Sequence, residues 1–426
     1  MTALGSSLFL LNIFLWRSYC SAVCSAVLYG DHIIINDSQS LSLLHDTLLQ
    51  LRPDLALMVR EITIHAGVGG AGWWLSGPAG YQALQSIMTR GALAIAACVN
   101  LQSLTIRTSE SSGQSPFPLF DELLNFRLRL PVLRHISFSF LLGLDTMEFV
   151  ERHSEQLEFL SIYMAGDVVA RQFLFTKELC NIFSTPLPIS TIHCSPFLTP
   201  IFVPRSRITD VSLYWPCRQL ELDELPHVAK DIIVPLTQSG RPVIVLAYAS
   251  HVWHTEFMAH AAVQLRELQY LRIDNCNENP DLVDIGNRNM LSELSKILPS
   301  FKSLKILLLC DRIRRNLHAP SSTYEDFKLM RTWASLCPTL VYCDLPASRT
   351  LTWIRHPSYD FFVIDKEGKD PYFATEFGDN WEHKFLATEE MLEYSARWSQ
   401  QYEDLREDGI METLKPLLDR GDKLSQ

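Results

Sequence analysis

One short apolar pattern returns along this chain, and it constrains the fold more than any other feature. An apolar residue is followed by two others, a second apolar residue, one other, and a third apolar residue. It reads Val59-Ile62-Ile64, Leu101-Leu104-Ile106, Leu133-Ile136-Phe138, Leu157-Leu160-Ile162, Ile208-Val211-Leu213, Val243-Leu246-Tyr248, Leu268-Leu271-Ile273 and Leu304-Leu307-Leu309. Weaker copies are Ile189-Ile192-Cys194 and Leu340-Cys343-Leu345. The last two positions of each copy lie two apart, so on a strand they point the same way. The first position closes the turn that leads into the strand.

Between copies the spacing changes to that of helices. Segments 38–51, 81–97, 120–128, 146–153, 173–183, 259–265, 290–298 and 324–336 read as helices, and Pro131, Pro299 and Pro338 fall in the turns before strands. Supersecondary units repeated at tens of residues stack on one another. The expected fold is therefore α/β: a leucine-rich-repeat-like curved solenoid, with a parallel β-sheet on the concave face and α-helices outside. The anchors lie 19 to 42 residues apart, which suits long units with a full helix better than short uniform ones. Residues 1–30 read as an apolar N-terminal cap, 31–356 as the solenoid, and 357–426 as an acidic C-terminal capping region. Segment 182–207 holds Pro186, Pro188, Pro196, Pro200 and Pro204, and reads as a surface loop or a distorted repeat. Segment 389–418 reads as one acidic helix with Met391, Leu392, Tyr394, Trp398 and Tyr402 as its apolar stripe, covering the open end of the solenoid or forming a mobile tail.

The 426 residues are 47% hydrophobic and 20% charged, the balance of a globular chain. The net charge of −11 argues against nucleic acid and anionic membrane as partners. None of the ten cysteines forms a Cys-x-x-Cys pair, and they read as reduced thiols of a cytoplasmic or nuclear protein. The alternative is secretion, if the apolar run from Leu8 to Trp16 is a signal peptide. Against it, no basic residue precedes that run; the expectation is that residues 1–30 pack on the first repeat uncleaved.

Motifs of chemistry are weak. Gly67-Val68-Gly69-Gly70-Ala71-Gly72 matches G-x-G-x-x-G, but Trp73-Trp74-Leu75-Ser76-Gly77-Pro78 follows where a helix should start, and the next acidic residue is Glu110. His251, His254, Glu256 and His260 cluster without the spacing of a zinc helix. The chain reads as no enzyme, without catalytic residues, metal or cofactor; a hydrolase is the remote alternative. Strand positions between the apolar ones face away from the helices. Arg107, His135, Tyr163, Tyr214, Tyr270, Arg272 and Asp274 occupy such positions, and Tyr and Arg are types that anchor interfaces. They are the candidate partner-binding residues.

The stretch Ser25-Ala26-Val27-Leu28-Tyr29-Gly30, a strand, then Arg52-Pro53-Asp54-Leu55-Ala56 and Val59-Arg60-Glu61-Ile62-Thr63-Ile64 resembles the join between F-box and repeat domain in basidiomycete fungal F-box proteins. The turns Leu130-Pro131-Val132-Leu133 and Cys337-Pro338-Thr339-Leu340 extend that resemblance, which covers about residues 20–356. It implies a substrate receptor of a Skp1-cullin ubiquitin ligase, with a protein substrate on the concave face. The chain departs from the family where the F-box should stand, since only about 27 residues precede Leu28 and they contain no Leu-Pro. The module is missing or truncated, which leaves open a non-catalytic scaffold that has lost ligase coupling.

Overall fold

The computed structural model describes residues 32–36, 38–65, 77–107, 128–139, 144–162, 187–204, 206–215, 225–251, 253–276, 280–311, 323–346, 352–364 and 389–425. The glycine-rich segment 67–72, the N-terminal 30 residues and Tyr163 lie outside them. The described residues fall into two compact units, one up to Ile189 and the other from Ser190 onward.

In the first unit, strands β1 (His32–Ile35), β2 (Glu61–His65), β3 (Ser103–Arg107), β4 (His135–Ser139) and β5 (Phe159–Ile162) pair in sequence order, all parallel. The repeated pattern sets the register. Ile62, Leu104, Ile136 and Leu160 stand side by side, as do Ile64, Ile106, Phe138 and Ile162. All eight are buried. Helices α1 (Ser38–His45), α2 (Gly77–Ala97) and α3 (Leu144–Arg152) supply the other layer; Phe138 of β4, for example, packs on Phe149 of α3 with ring centroids 6.2 Å apart. Segment 38–51 is helical as expected, but its last turn, Asp46–Leu51, is wound as π-helix before Pro53.

The turn anchors explain why each repeat begins with an apolar residue. Val59, Leu101, Leu133 and Leu157 are buried. The carbonyl of the next residue then accepts two N–H groups from the following repeat. Arg60 O takes Gln102 N and Ser103 N, Gln102 O takes Arg134 N and His135 N, and Arg134 O takes Glu158 N and Phe159 N. Each turn is thus stitched to its neighbour before the strand ladder starts, so buried backbone groups at the turn are satisfied.

The second unit repeats the plan. Strands β6 (Thr191–Cys194), β7 (Asp210–Tyr214), β8 (Val245–Ser250), β9 (Tyr270–Asn275), β10 (Ile306–Asp311) and β11 (Tyr342–Asp344) are parallel and consecutive. The carbonyls of Ser190, Thr209, Ile244, Gln269 and Lys305 make the same turn-to-turn stitches. Ile192, Val211, Leu246, Leu271, Leu307 and Cys343 align in one buried ladder. Helices α4 (Thr199–Phe202), α5 (Leu225–Thr237), α6 (Thr255–Gln264), α7 (Pro280–Ile297) and α8 (Thr323–Leu336) connect the strands. Of the two readings of segment 182–207, its described part is a distorted repeat: β6, one 3-10 turn and the single-turn α4. The helix α5 has no counterpart in the sequence reading; Pro235 lies within it.

The parallel pattern ends after β11. Strands β12 (Thr352–Ile354) and β13 (Val363–Ile364) pair antiparallel. The described residues of the acidic tail from Glu389 onward form two helices, α9 (Glu389–Glu407) and α10 (Ile410–Ser425), separated by Asp408 and Gly409, and the φ of 60° at Gly409 is one that a residue without Cβ adopts freely. Among the described residues no helix is long and apolar enough to cross a membrane.

Candidate functional site

A strand presents alternate residues to opposite faces. In the second unit the ladder positions face helices: Tyr248 of β8, for instance, packs edge-on against Phe257 of α6 at 5.2 Å. The positions between them form the other face. Register places Asp210, Val245, Tyr270 and Ile306 in one row across it, and Ser212, Ala247, Arg272 and Leu308 in the next. Tyr214, Ala249, Asp274 and Cys310 make a third row toward the strand ends.

The first row is apolar in its middle and acidic at Asp210. Helix α10 lies on it. Leu414, Leu417 and Leu424 join Val245, Ala247, Tyr270, Ile306, Leu308 and Val341 in a single buried cluster, with Ile410, Met411 and Leu418 packed beside it. Gly421 meets Tyr270 directly; a Cβ there would collide with Cζ and Oη of the ring. At one edge Arg420 grips the buried Asp210 with both arms of its guanidinium, Nε lying 2.9 Å from Oδ2, and also donates to Thr209 Oγ1 at 3.3 Å. Such a fork-to-carboxylate pair carries geometric specificity as well as charge.

Helix α9 is held differently. Trp398 packs on Phe361 and Phe327, with ring centroids 6.4 and 6.2 Å away. Gln401 donates to Phe361 O at 3.1 Å, Tyr359 donates to Asp404 at 2.7 Å, and His356 Nε2 meets Asp408 at 2.9 Å. This first half of the tail covers the final antiparallel strands, where a cap belongs. The second half does not extend that cap, but crosses the sheet face.

Of the candidate partner-binding residues, Tyr214, Tyr270, Arg272 and Asp274 share this face of the second unit. Tyr270 is fully buried beneath α10, so the surface read as open is occupied at that point. Burial raises its phenol pKa well above the ordinary value. Arg272 donates from Nε to Asp274 at 2.9 Å; burial opposes its charge, but its neighbours, Asp274 foremost, together outweigh that and hold the guanidinium cationic. Beside them burial pushes the Cys310 thiol up to about 12, so it is no thiolate nucleophile at neutral pH. Arg107 and His135 are exposed on β3 and β4 of the first unit, where the His135 ring meets Phe159 edge-on at 5.8 Å.

The sequence reading missed Asp210, Arg420, Gly421 and the leucines of α10. Their signal was present: Ile410, Leu414, Leu417, Gly421 and Leu424 recur at alternating spacings of four and three, an amphipathic stripe with a glycine in its middle.

Elsewhere the histidine cluster disperses. His251 Nδ1 meets Cys276 O at 2.9 Å, His254 Nε2 meets Ser250 Oγ at 2.8 Å, and His260 faces Glu256 at 3.7 Å along α6. Among the described residues no group of His, Cys, Asp and Glu is placed to hold a metal. The Ser250–His254 contact has the shape of a nucleophile and base. Burial, however, holds His254 down at about 4, and Trp215 stacks on it at 4.4 Å. A general base works best near the operating pH, so this pair reads as the packing of a turn. The described cysteines, Cys98, Cys194, Cys276, Cys310, Cys337 and Cys343, are free thiols.

What the fold defines is an α/β protein of stacked parallel repeats. No protein-family model matches the chain, and no curated protein matches it.

Proposed function

We propose that this chain is a protein-recognition module of the leucine-rich-repeat-like solenoid type, binding a partner on the concave side of its sheet, opposite the connecting helices, without catalysis, metal or cofactor. The supporting observation is the chemistry of that side in the second unit. It carries an apolar patch around Tyr270, an acidic edge at Asp210 and the Arg272–Asp274 pair, and it already binds one amphipathic helix. Aromatic and arginine side chains set in an apolar patch are what interface hot spots are made of. Together with the resemblance carried by residues 20–356, this makes a substrate receptor of a Skp1-cullin ubiquitin ligase, cytoplasmic or nuclear, the reading to test first; a scaffold uncoupled from the ligase is the other.

The test is affinity capture of partners, repeated with Tyr214 and Arg272, which are half-buried on that face, changed together to Ala in a chain shown to be folded. Loss of capture supports recognition by the sheet face; capture that survives, yet fails when outer helices are altered, overturns it. Co-purification of Skp1 separates the receptor from the uncoupled scaffold.

A further inference from the structure

Helix α10 is built to sit on the sheet and poorly built to exist alone. It is 16 residues long, barely beyond the length of about 12–15 below which an isolated helix is marginal in water. Pro416 lies inside it, removing the hydrogen bond its N–H would give one turn back. Gly421, a poor helix former, stands in its apolar stripe. The glycine is explained by the docked state, because only a residue without a side chain clears the Tyr270 ring. The helix joins α9 through only Asp408 and Gly409, the latter at positive φ, a short link about which it can swing while α9 stays fastened. Departure of α10 would leave Val245, Tyr270, Ile306 and Leu308 uncovered and the buried Asp210 without the guanidinium that neutralises it. The vacated face therefore calls for a replacement of the same kind.

We propose that this face of the second unit is a receptor for an amphipathic helix and that α10 is its resident occupant, exchanged for a helix of the partner protein. The proposal rests on recognition by the sheet face and specifies its ligand. That partner helix carries apolar residues at alternating spacings of four and three, a glycine over Tyr270, and an arginine directed at Asp210.

The probe is a fluorescein-labelled peptide of residues 410–425, titrated by anisotropy into the full chain. Gly421→Leu in the full chain expels its own α10 by collision with Tyr270. This variant should bind the peptide at least tenfold more tightly than the wild-type chain does, and a peptide with Arg420→Glu should bind it at least tenfold more weakly. Hydrogen exchange run in parallel should show amides 410–425 deprotected while those of β7 to β10 keep their protection. If Gly421→Leu does not fold, Leu414→Asp with Leu417→Asp weakens the docked helix without adding bulk, and the same gain in peptide affinity is expected. A folded variant that binds the peptide no better than wild type overturns the exchange, and makes α10 a fixed part of the core. Failure of the wider reading is distinct: partners captured through the outer helices would overturn recognition by the sheet, whatever the peptide does.

Discussion

Leu271 shows what one repeat position does. It sits in register with Leu246 and Leu307 and is fully buried. Truncation removes apolar contacts and leaves a cavity that neighbours held by stacked strands cannot close. Leu271→Ala should cost about 2–5 kcal/mol, read as a shift in the denaturant midpoint with unchanged slope. An unshifted midpoint would mean that the ladder is out of register. Tyr270, one position earlier, has the same burial on the opposite face, but owes it to a helix that comes some 140 residues later in the chain.

At the scale of elements, Arg355 ties the last parallel repeat to the antiparallel end. It follows β12, is buried, and donates Nε to Leu340 O at 3.0 Å, Nη1 to Ala334 O at 3.3 Å and to Tyr359 O at 3.1 Å, and Nη2 to Pro338 O. Ala334 belongs to the last turn of α8, whose carbonyls have no partner within the helix and attract a cation. The guanidinium also stands over the Phe362 ring at 5.4 Å. Arg355→Met keeps much of the volume and strips those carbonyls of their donor. Buried hydrogen bonds to charged groups are worth about 1.5–3 kcal/mol each before relaxation, so a loss of at least about 3 kcal/mol is expected in chemical denaturation. A change below about 1 kcal/mol would show that water replaces the side chain.

Across the whole molecule, several histidines are held neutral by burial. His193 and His254 are pushed down to about 4, and His153 is lowered as well. His153 accepts from Leu130 N–H at one ring nitrogen, 3.0 Å away, and meets Phe149 O at the other, 2.8 Å away, an arrangement that suits the neutral ring. Below the ordinary value of 6.5 the unfolded chain takes up protons that the folded chain refuses. The contribution of these rings to stability is therefore full above about pH 6.5, falls as pH drops toward 4, and levels off below the folded values. The gap at His193 alone is worth roughly 3 kcal/mol. Melting temperature should fall across that window, and His193→Gln should flatten the fall. A melting temperature independent of pH between 6.5 and 4 would mean that these rings are hydrated.

The parallel strands, their order and their inward residues were legible in the sequence because each repeat packs on its neighbours, so local spacing already encodes the contact. The anchors at Val59, Leu101 and Leu268 even mark the turn whose carbonyl receives the next repeat. The same locality hid what lies on the opposite face. Tyr214, Tyr270, Arg272 and Asp274 could be assigned to that side from alternation alone, but nothing in their spacing says whether water, a partner or the chain itself covers them. That was decided by α10, whose stripe was readable and whose address was not. A helix docking across strands more than a hundred residues away is placed by shape and charge in three dimensions, by Gly421 against Tyr270 and Arg420 against Asp210. Periodicity along a chain records which face of an element is buried; only the tertiary structure records against what.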